Sequence, residues 1–219
     1  SGWMCVGIHD SASPLRRQRR MGIRDRLAKF CLKNGLTGAD FLAGIPGTVG
    51  GALAMNAGAF GSEIWSFVTL AEMINRQGEL INRKTEEFDV HYRQVSQFNN
   101  EWFAAARFRF DTRLEQKGSN IKKLLQQRNA SKPIGLPSCG SVFKNPKGKY
   151  AAKLIEAAGL KGYCHGNAWV SEKHANFIIS NAQTSSKDIE GLVELIQQTV
   201  KQKFDVTLET EVRILGDEL

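Results

Sequence analysis

Helical and strand-like periodicities alternate along this chain, and the longest interruption between them is a run that carries no charge. Leu27, Phe30 and Cys31 recur at helical spacing, and Asn34-Gly35 supplies the residues that end a helix in a left-handed turn. Charge then disappears after Asp40 and returns only at Glu63. Phe67–Ile74 alternates weakly and Gly78 turns it into Leu80–Asn82, which predicts a hairpin. Phe103–Phe110 alternates more clearly, so a strand should carry Phe108 and Phe110 on one face. Ile121, Leu124 and Leu125 predict a helix over 119–130, and Lys132-Pro133 to Pro137 reads as a linker.

A second unit begins near Ser131. Tyr150–Ala158 has good helix propensity and is stopped by Gly159, and Asn176–Ser180 reads as a short strand. Ser185–Phe204 is the strongest helix in the chain, with Asp188 in its first turn and Ile189, Leu192, Val193, Ile196 and Val200 in one apolar stripe. Val206–Ile214 alternates as a final strand. Runs of strands and helices in mixed order make the fold class α+β.

The uncharged run contains Gly44 to Gly61, GIPGTVGGALAMNAGAFG, with six glycines in eighteen residues. Such density removes side chains where another body could lie against the backbone. Pro46 suits a first helical turn, so Pro46 to about Met55 is expected to be a short helix whose Ile45–Thr48 end favours a phosphate or another anion. Two alternatives remain open at this point. The run is long enough to span a bilayer, although Pro46, Asn56 and the glycines would leave a lipid-exposed helix poorly bonded; a buried glycine-rich turn without a ligand is the other.

The chain bears 30 lysines and arginines against 22 acids, a net charge of +8, but six arginines against one aspartate in 16–26 account for most of it. No aromatic residues interleave with those arginines to stack on bases, so the composition argues against nucleic-acid binding and for a solvated arm. Residues 1–26 show neither period clearly. No signal-type apolar segment opens the sequence, which makes the cytoplasm the default location. Cys5, Cys31, Cys139 and Cys164 are widely spaced, form no metal-binding pair and read as reduced thiols, Cys139 as a small packed one. No metal cluster is evident.

GIPGTVGGALAMNAGAFGSEI, Tyr92-Arg93, GSVFKNP from Gly140, GLKGY with VSEKHANF from Val170, and LETEVRILG from Leu208 occur in that order. Together these blocks resemble the UDP-N-acetylenolpyruvoylglucosamine reductases, the MurB family of bacterial peptidoglycan synthesis, in the shorter of its subtypes, over about Leu27 to Gly216. The resemblance implies the remainder of a PCMH-type FAD-binding domain over 1–130, with 205–219 returning to it and 1–26 unmatched, and a smaller α+β substrate domain over 131–204. It also implies a further N-terminal subdomain that has no counterpart here, so that the sequence or gene would be truncated, another chain would supply the missing half, or flavin would no longer be bound well.

The resemblance implies an FAD- and NADPH-dependent oxidoreductase, a UDP-N-acetylmuramate dehydrogenase, that reduces UDP-N-acetylglucosamine enolpyruvate. Gly44, Ile45, Pro46, Gly47, Thr48, Gly50, Gly51, Asn56 and Gly58 would hold the cofactor. Tyr92, Lys132, Lys144, Asn145 and His174 would meet substrate. Ser141 matches the family's proton donor, while Arg93 and Glu211 match the groups that stabilise the enolate. Each residue also has an ordinary reading: Ser141 as a turn residue, Arg93 as a surface arginine, and Glu211 as part of a solvated face shared with Glu209 and Arg213. Tyr-Arg-Gln-Val stands here where the family more often has Tyr-Arg-Asp-Ser. A second function remains open, a UDP-sugar-binding remnant without tightly bound flavin; a third is an arginine-arm nucleic-acid binder.

Overall fold

A computed structural model describes residues 2–7, 23–96, 100–112 and 121–216; the arginine-rich arm therefore falls largely outside the described residues. The fold is α+β and divides into two compact units, Ser1–Arg128 and Asn129–Leu219.

The first unit contains, in chain order, β1 Gly2–Gly7, α1 Ile23–Lys33, β2 Leu36–Thr37, α2 Val49–Ala54, β3 Gly58–Ala59, β4 Ser62–Glu63, β5 Val68–Asn75, β6 Leu80–Lys84, β7 Val90–His91, β8 Gln94–Val95, β9 Glu101–Thr112 and most of α3 Ile121–Ser131, whose last residues belong to the second unit. Its main sheet has the order β1-β9-β5-β6, with β2 joined to the end of β9, and every pairing is antiparallel. β9 organises it. Ala106, Phe108 and Phe110 are buried while Arg107 and Arg109 between them are exposed, as a period of two requires. The hairpin expected around Gly78 forms as β5–β6. β1 is a correction to the sequence reading, which found no element in residues 1–26: Gly2–Gly7 pairs with Ala105–Phe110 of β9.

The face of this sheet is covered by aromatic residues and by α1 and α2. Trp65 donates from Nε1 to the Leu53 carbonyl at 2.7 Å, so its one polar group is satisfied while its ring packs against Phe88 and Phe103. α1 buries Leu27, Ala28 and Cys31, whereas Phe30, expected in the apolar stripe, lies exposed. Burial, aided by the nearby Asp40 charge, pushes the Cys31 thiol up to about 12, so it stays an inert packing group.

α2 starts later than the sequence predicts. Thr48 is its N-cap, its hydroxyl accepting from the Gly51 N–H at 3.0 Å, and Gly47 has φ +117°, which a helix cannot contain. Pro46 therefore lies in the loop ahead of the helix. Pro46, Gly47, Thr48 and Gly51 are exposed while Val49, Ala52 and Leu53 face the core, leaving one edge of the glycine-rich backbone open to solvent.

The second unit adds α4 Ala151–Ala157, β10 Cys164–His165, β11 Ala168–Val170, β12 Ile178–Ile179 and α5 Ser186–Phe204. β10, β11 and β12 form an antiparallel sheet in that order. α5 packs Leu192, Val193, Ile196 and Val200 into a core shared with Ala151, Ile155 and Val170. Ser185 caps it: the hydroxyl accepts from the Asp188 N–H at 3.1 Å, and the Asp188 carboxylate accepts from the Ser185 N–H at 2.9 Å. The bond from the Ser185 N–H, foremost, holds the Asp188 carboxyl below the usual carboxylate range.

The tail departs from expectation twice. Val206–Ile214 does not form a ladder; it contributes an isolated bridge between Phe143 and Thr210, with Ile214 exposed. Leu208 lies in the second unit's core with Val206 and Val212 against it, so the described part of 205–219 packs there rather than returning to the first domain.

Candidate functional site

In the first unit the site is built around the end of α2 and the tight β7–β8 turn. Arg93 occupies that turn with φ +55°. Its Nη1 donates to the Asn56 carbonyl at 3.0 Å and its Nη2 to the Gly58 carbonyl at 2.7 Å, and Glu63 lies 3.7 Å from Nη1. The guanidinium is thus joined to the glycine-rich stretch and is not the free surface cation of its ordinary reading; it also lies over the exposed Tyr92 ring, 4.8 Å from the centroid. Gly58 must lack a side chain, because a Cβ there would come within 2.6 Å of the Ser62 carbonyl and 3.1 Å of Arg93 Nη1.

Asn56 is 2 % exposed, and its Nδ2 donates to Glu63 Oε2 at 2.8 Å and to the His91 carbonyl at 3.1 Å. Two acceptors at that nitrogen fix the orientation of the amide. Its Oδ1 is then a buried acceptor that no donor among the described residues reaches. A buried amide oxygen left without a donor costs about 1–3 kcal/mol, so this position calls for a hydrogen bond from beyond the described residues. Glu63, which fixes the amide, was not singled out in the sequence; its signal was that it ends the uncharged run.

In the second unit the loop carrying Ser141 and the tail carrying Glu211 meet through the backbone. The N–H groups of Glu211 and Val212 donate to the Val142 carbonyl at 2.7 and 3.3 Å, and the Lys144 N–H donates to the Glu209 carbonyl at 2.9 Å. Ser141 and Glu211 are both half-buried, so Glu211 does not stand on a fully solvated face. Lys144 Nζ lies 3.5 Å from Glu209 Oε2, and Asn145 Oδ1 accepts from the Ala151 N–H at 3.0 Å at the start of α4. Cys139, read as a packed thiol, is exposed.

The residue that holds the Ser141 loop in place is Asn176, which the sequence reading absorbed into a strand. It is 4 % exposed and forms a two-point clamp on Phe143: Oδ1 accepts from the Phe143 N–H at 3.0 Å and Nδ2 donates to the Phe143 carbonyl at 2.8 Å. The Asn176 carbonyl also accepts from the Val142 N–H at 3.0 Å. A single amide between Ala175 and Phe177, in an otherwise apolar run, was the available signal.

Lys132 and His174 lie together. Lys132 Nζ is 2.8 Å from His174 Nε2 and 5.0 Å from the centroid of the Phe177 ring. Burial and then the Lys132 charge push the His174 imidazole down to about 4, from an ordinary 6.5. The unfolded ring takes up a proton below that ordinary value and the folded ring only near the lowered one, so the stability the neutral ring contributes is lost as pH falls from 6.5 towards 4. Urea unfolding of the second unit at pH 7 and at pH 4.5 is expected to differ by less than about 3 kcal/mol from this group, reduced because the ring is half exposed, and His174→Gln should flatten that part of the slope.

A family model described as UDP-N-acetylenolpyruvoylglucosamine reductase, C-terminal domain, matches residues 132–215, and one described as FAD binding domain matches residues 22–83. The UDP-N-acetylenolpyruvoylglucosamine reductase of Coxiella burnetii (strain Dugway 5J108-111) is 54% identical over 192 residues, covering 87% of this chain and 61% of that protein. The protein of the same name from Alkalilimnicola ehrlichii is 53% identical over 193 residues, covering 88% of this chain and 65% of its own. The crystal structure of UDP-N-acetylenolpyruvylglucosamine reductase (MurB) from Thermus caldophilus superimposes with a TM-score of 0.77 at 29% identity, covering 88% of this chain and 70% of that one. The chain thus spans a little over three fifths of the length of the curated relatives it matches.

Proposed function

The chain belongs to the UDP-N-acetylenolpyruvoylglucosamine reductase family over most of its length, and from that premise we propose that it takes part in the NADPH-dependent reduction of UDP-N-acetylglucosamine enolpyruvate to UDP-N-acetylmuramate. The observation that carries the reading is the shared Val142 carbonyl, which brings the backbone of Glu211 beside the residue that follows Ser141. A hydroxyl and a carboxyl are thereby held on adjoining backbone in one unit, an arrangement suited to delivering a proton to a carbon that becomes basic during reaction.

The glycine stretch fits the FAD that the matching family model implies for residues 22–83. Its exposed edge admits close approach of a flat or phosphorylated group, and the buried Asn56 Oδ1 waits for a donor. Gly44, Ile45, Pro46, Gly47, Thr48, Gly50, Gly51, Asn56 and Gly58 would hold the cofactor. Bound FAD would supply hydride transfer, from NADPH to the enolpyruvyl double bond. The chain's own residues perform the remaining work. Ser141 donates the proton to the adjacent carbon. Arg93, through its planar guanidinium, is assigned the negative charge of the enolate, to which Glu211 would donate a hydrogen bond when its carboxyl carries a proton. Tyr92, Lys132, Lys144, Asn145 and His174 are assigned to the substrate.

The test of the cofactor assignment is spectral. The purified chain mixed with FAD and passed through a desalting column is expected to retain flavin absorbance, and Asn56→Leu, which removes the waiting oxygen, is expected to weaken that retention about tenfold. Loss of all flavin from the parent chain on the column would overturn the assignment and leave the sugar-nucleotide-binding alternative in its place.

A further inference from the structure

Glu63 ends the uncharged run, and the backbone around it brings its carboxylate back over the glycine stretch. β3 and β4 pair Gly58 with Glu63 and Ala59 with Ser62, joined by Phe60 and Gly61 at φ +54° and +78°, the left-handed pair that a two-residue hairpin turn favours. The Ile64 N–H donates to the Ala57 carbonyl at 3.0 Å, and the Ala57 N–H to the Ala52 carbonyl at 2.8 Å, which ties the base of this hairpin to α2. Glu63 thus stands opposite Gly58, and its side chain passes over that α-carbon: a Cβ on Gly58 would lie 2.8 Å from Glu63 Cγ. Any other residue there would push the carboxylate off its path.

That path leads to the Asn56 amide. Glu63 Oε2 accepts from Asn56 Nδ2 at 2.8 Å, and the same nitrogen donates to the His91 carbonyl at 3.1 Å. Turned over, the amide would set its oxygen against a carboxylate and a carbonyl, acceptor facing acceptor, so one orientation is admitted. Oδ1 is then the end of the side chain left over, 2 % exposed as a residue and reached by no donor among the described residues. A carboxylate draws on the amide N–H more strongly than a neutral acceptor would, and so polarises the oxygen at the other end. What Oδ1 receives is restricted accordingly. An N–H or O–H fits it, whereas a phosphate oxygen without a proton does not.

We propose that Glu63 is a positioning residue: it fixes the buried Asn56 amide as a hydrogen-bond acceptor, so that this end of the glycine stretch takes an uncharged N–H or O–H of the flavin nucleotide and not its phosphates. The inference rests on the functional reading above for the flavin, and on the structure alone for the Glu63–Asn56 pair. FAD carries such donors in two places, on the isoalloxazine ring with its ribityl chain and on the adenosine. Riboflavin carries only the first.

Two measurements separate the pair from its use. In the chain without flavin, nitrogen-15 NMR is expected to resolve the two side-chain amide protons of Asn56. Glu63→Leu should move one of them upfield by removing its acceptor, while Glu63→Gln, whose amide oxygen accepts in the carboxylate's place, should leave it near its parent position. Asn56 protons indifferent to Glu63→Leu overturn the pair. The change in flavin fluorescence on titrating the chain into FAD and into riboflavin then reads affinity. Glu63→Leu is expected to weaken FAD binding about tenfold, Glu63→Gln to stay within about threefold, and Glu63→Leu combined with Asn56→Leu to be no worse than Asn56→Leu alone, because the carboxylate acts through the amide. The double variant has no Asn56 N–H to leave without the carboxylate, so its comparison with Asn56→Leu holds where Glu63→Leu by itself folds poorly. A matching loss for riboflavin assigns the donor to the ring and its ribityl chain, and a loss confined to FAD assigns it to the adenosine. FAD affinity unchanged in Glu63→Leu, Glu63→Gln as weak as Glu63→Leu, or a further loss in the double variant beyond Asn56→Leu overturns the positioning role. Flavin bound by neither parent nor variants would leave the NMR result for the pair standing, but would remove the functional reading and this proposal with it.

Discussion

Ser141→Ala is expected to leave NADPH-dependent flavin reduction at its parent rate while slowing reduction of the enolpyruvyl group by about a thousandfold, the range that removal of a positioned general acid produces. The two half-reactions are separable by rapid mixing: bleaching of the flavin on adding NADPH, then recovery of its colour on adding UDP-N-acetylglucosamine enolpyruvate. The asymmetry is the point of the experiment. Alanine removes the hydroxyl but not the backbone that pairs Val142 with Glu211 and Val212, so the loop keeps its path. Equal slowing of both halves would mean that the substitution disturbs the unit at large and that Ser141 is not the proton source.

The second large effect falls on stability. Asn176→Leu removes both side-chain bonds to Phe143, leaving a buried N–H and a buried carbonyl without partners, at an expected cost of about 3 kcal/mol. Hydrogen exchange is the sensitive readout, because the Phe143 amide should be protected in the parent and exchange much faster in the variant. Asn176→Asp keeps the acceptor for the Phe143 N–H yet loses the donor and buries a charge, so it is expected to be destabilised as well. Asn145→Ala, at an exposed position, removes the acceptor of the Ala151 N–H and is expected to cost only about 1 kcal/mol. A Phe143 amide equally protected in Asn176→Leu would show that the loop holds its course without the clamp.

These two residues also mark what could and could not be read from the sequence. α5 was legible because five apolar residues at helical spacing and an acid in the first turn report the same helix, and β9 because Phe108 and Phe110 alternate with arginines. The blocks around Ser141, Arg93 and Glu211 were legible as motifs. Hidden from the sequence were features set by partners distant along the chain. Asn176 reads as the start of a strand until its clamp on Phe143 is seen, and Val206–Ile214 alternates like a strand although the N–H groups of Glu211 and Val212 share the one Val142 carbonyl rather than joining a ladder. The start of α2 was misplaced because proline at a first helical position is a strong local signal, and the Thr48 cap with the positive φ of Gly47 overrides it. β1 gave no period to read because its place is fixed by pairing with β9.

The Val142 carbonyl receives the N–H groups of both Glu211 and Val212. Hydroxyl and carboxyl are therefore geared to one oxygen atom: a disturbance that shifts the loop drags the tail with it, and their spacing is insulated from drift elsewhere in the unit. Precision at that centre depends less on the stiffness of the surrounding helices than on a single acceptor keeping its two donors.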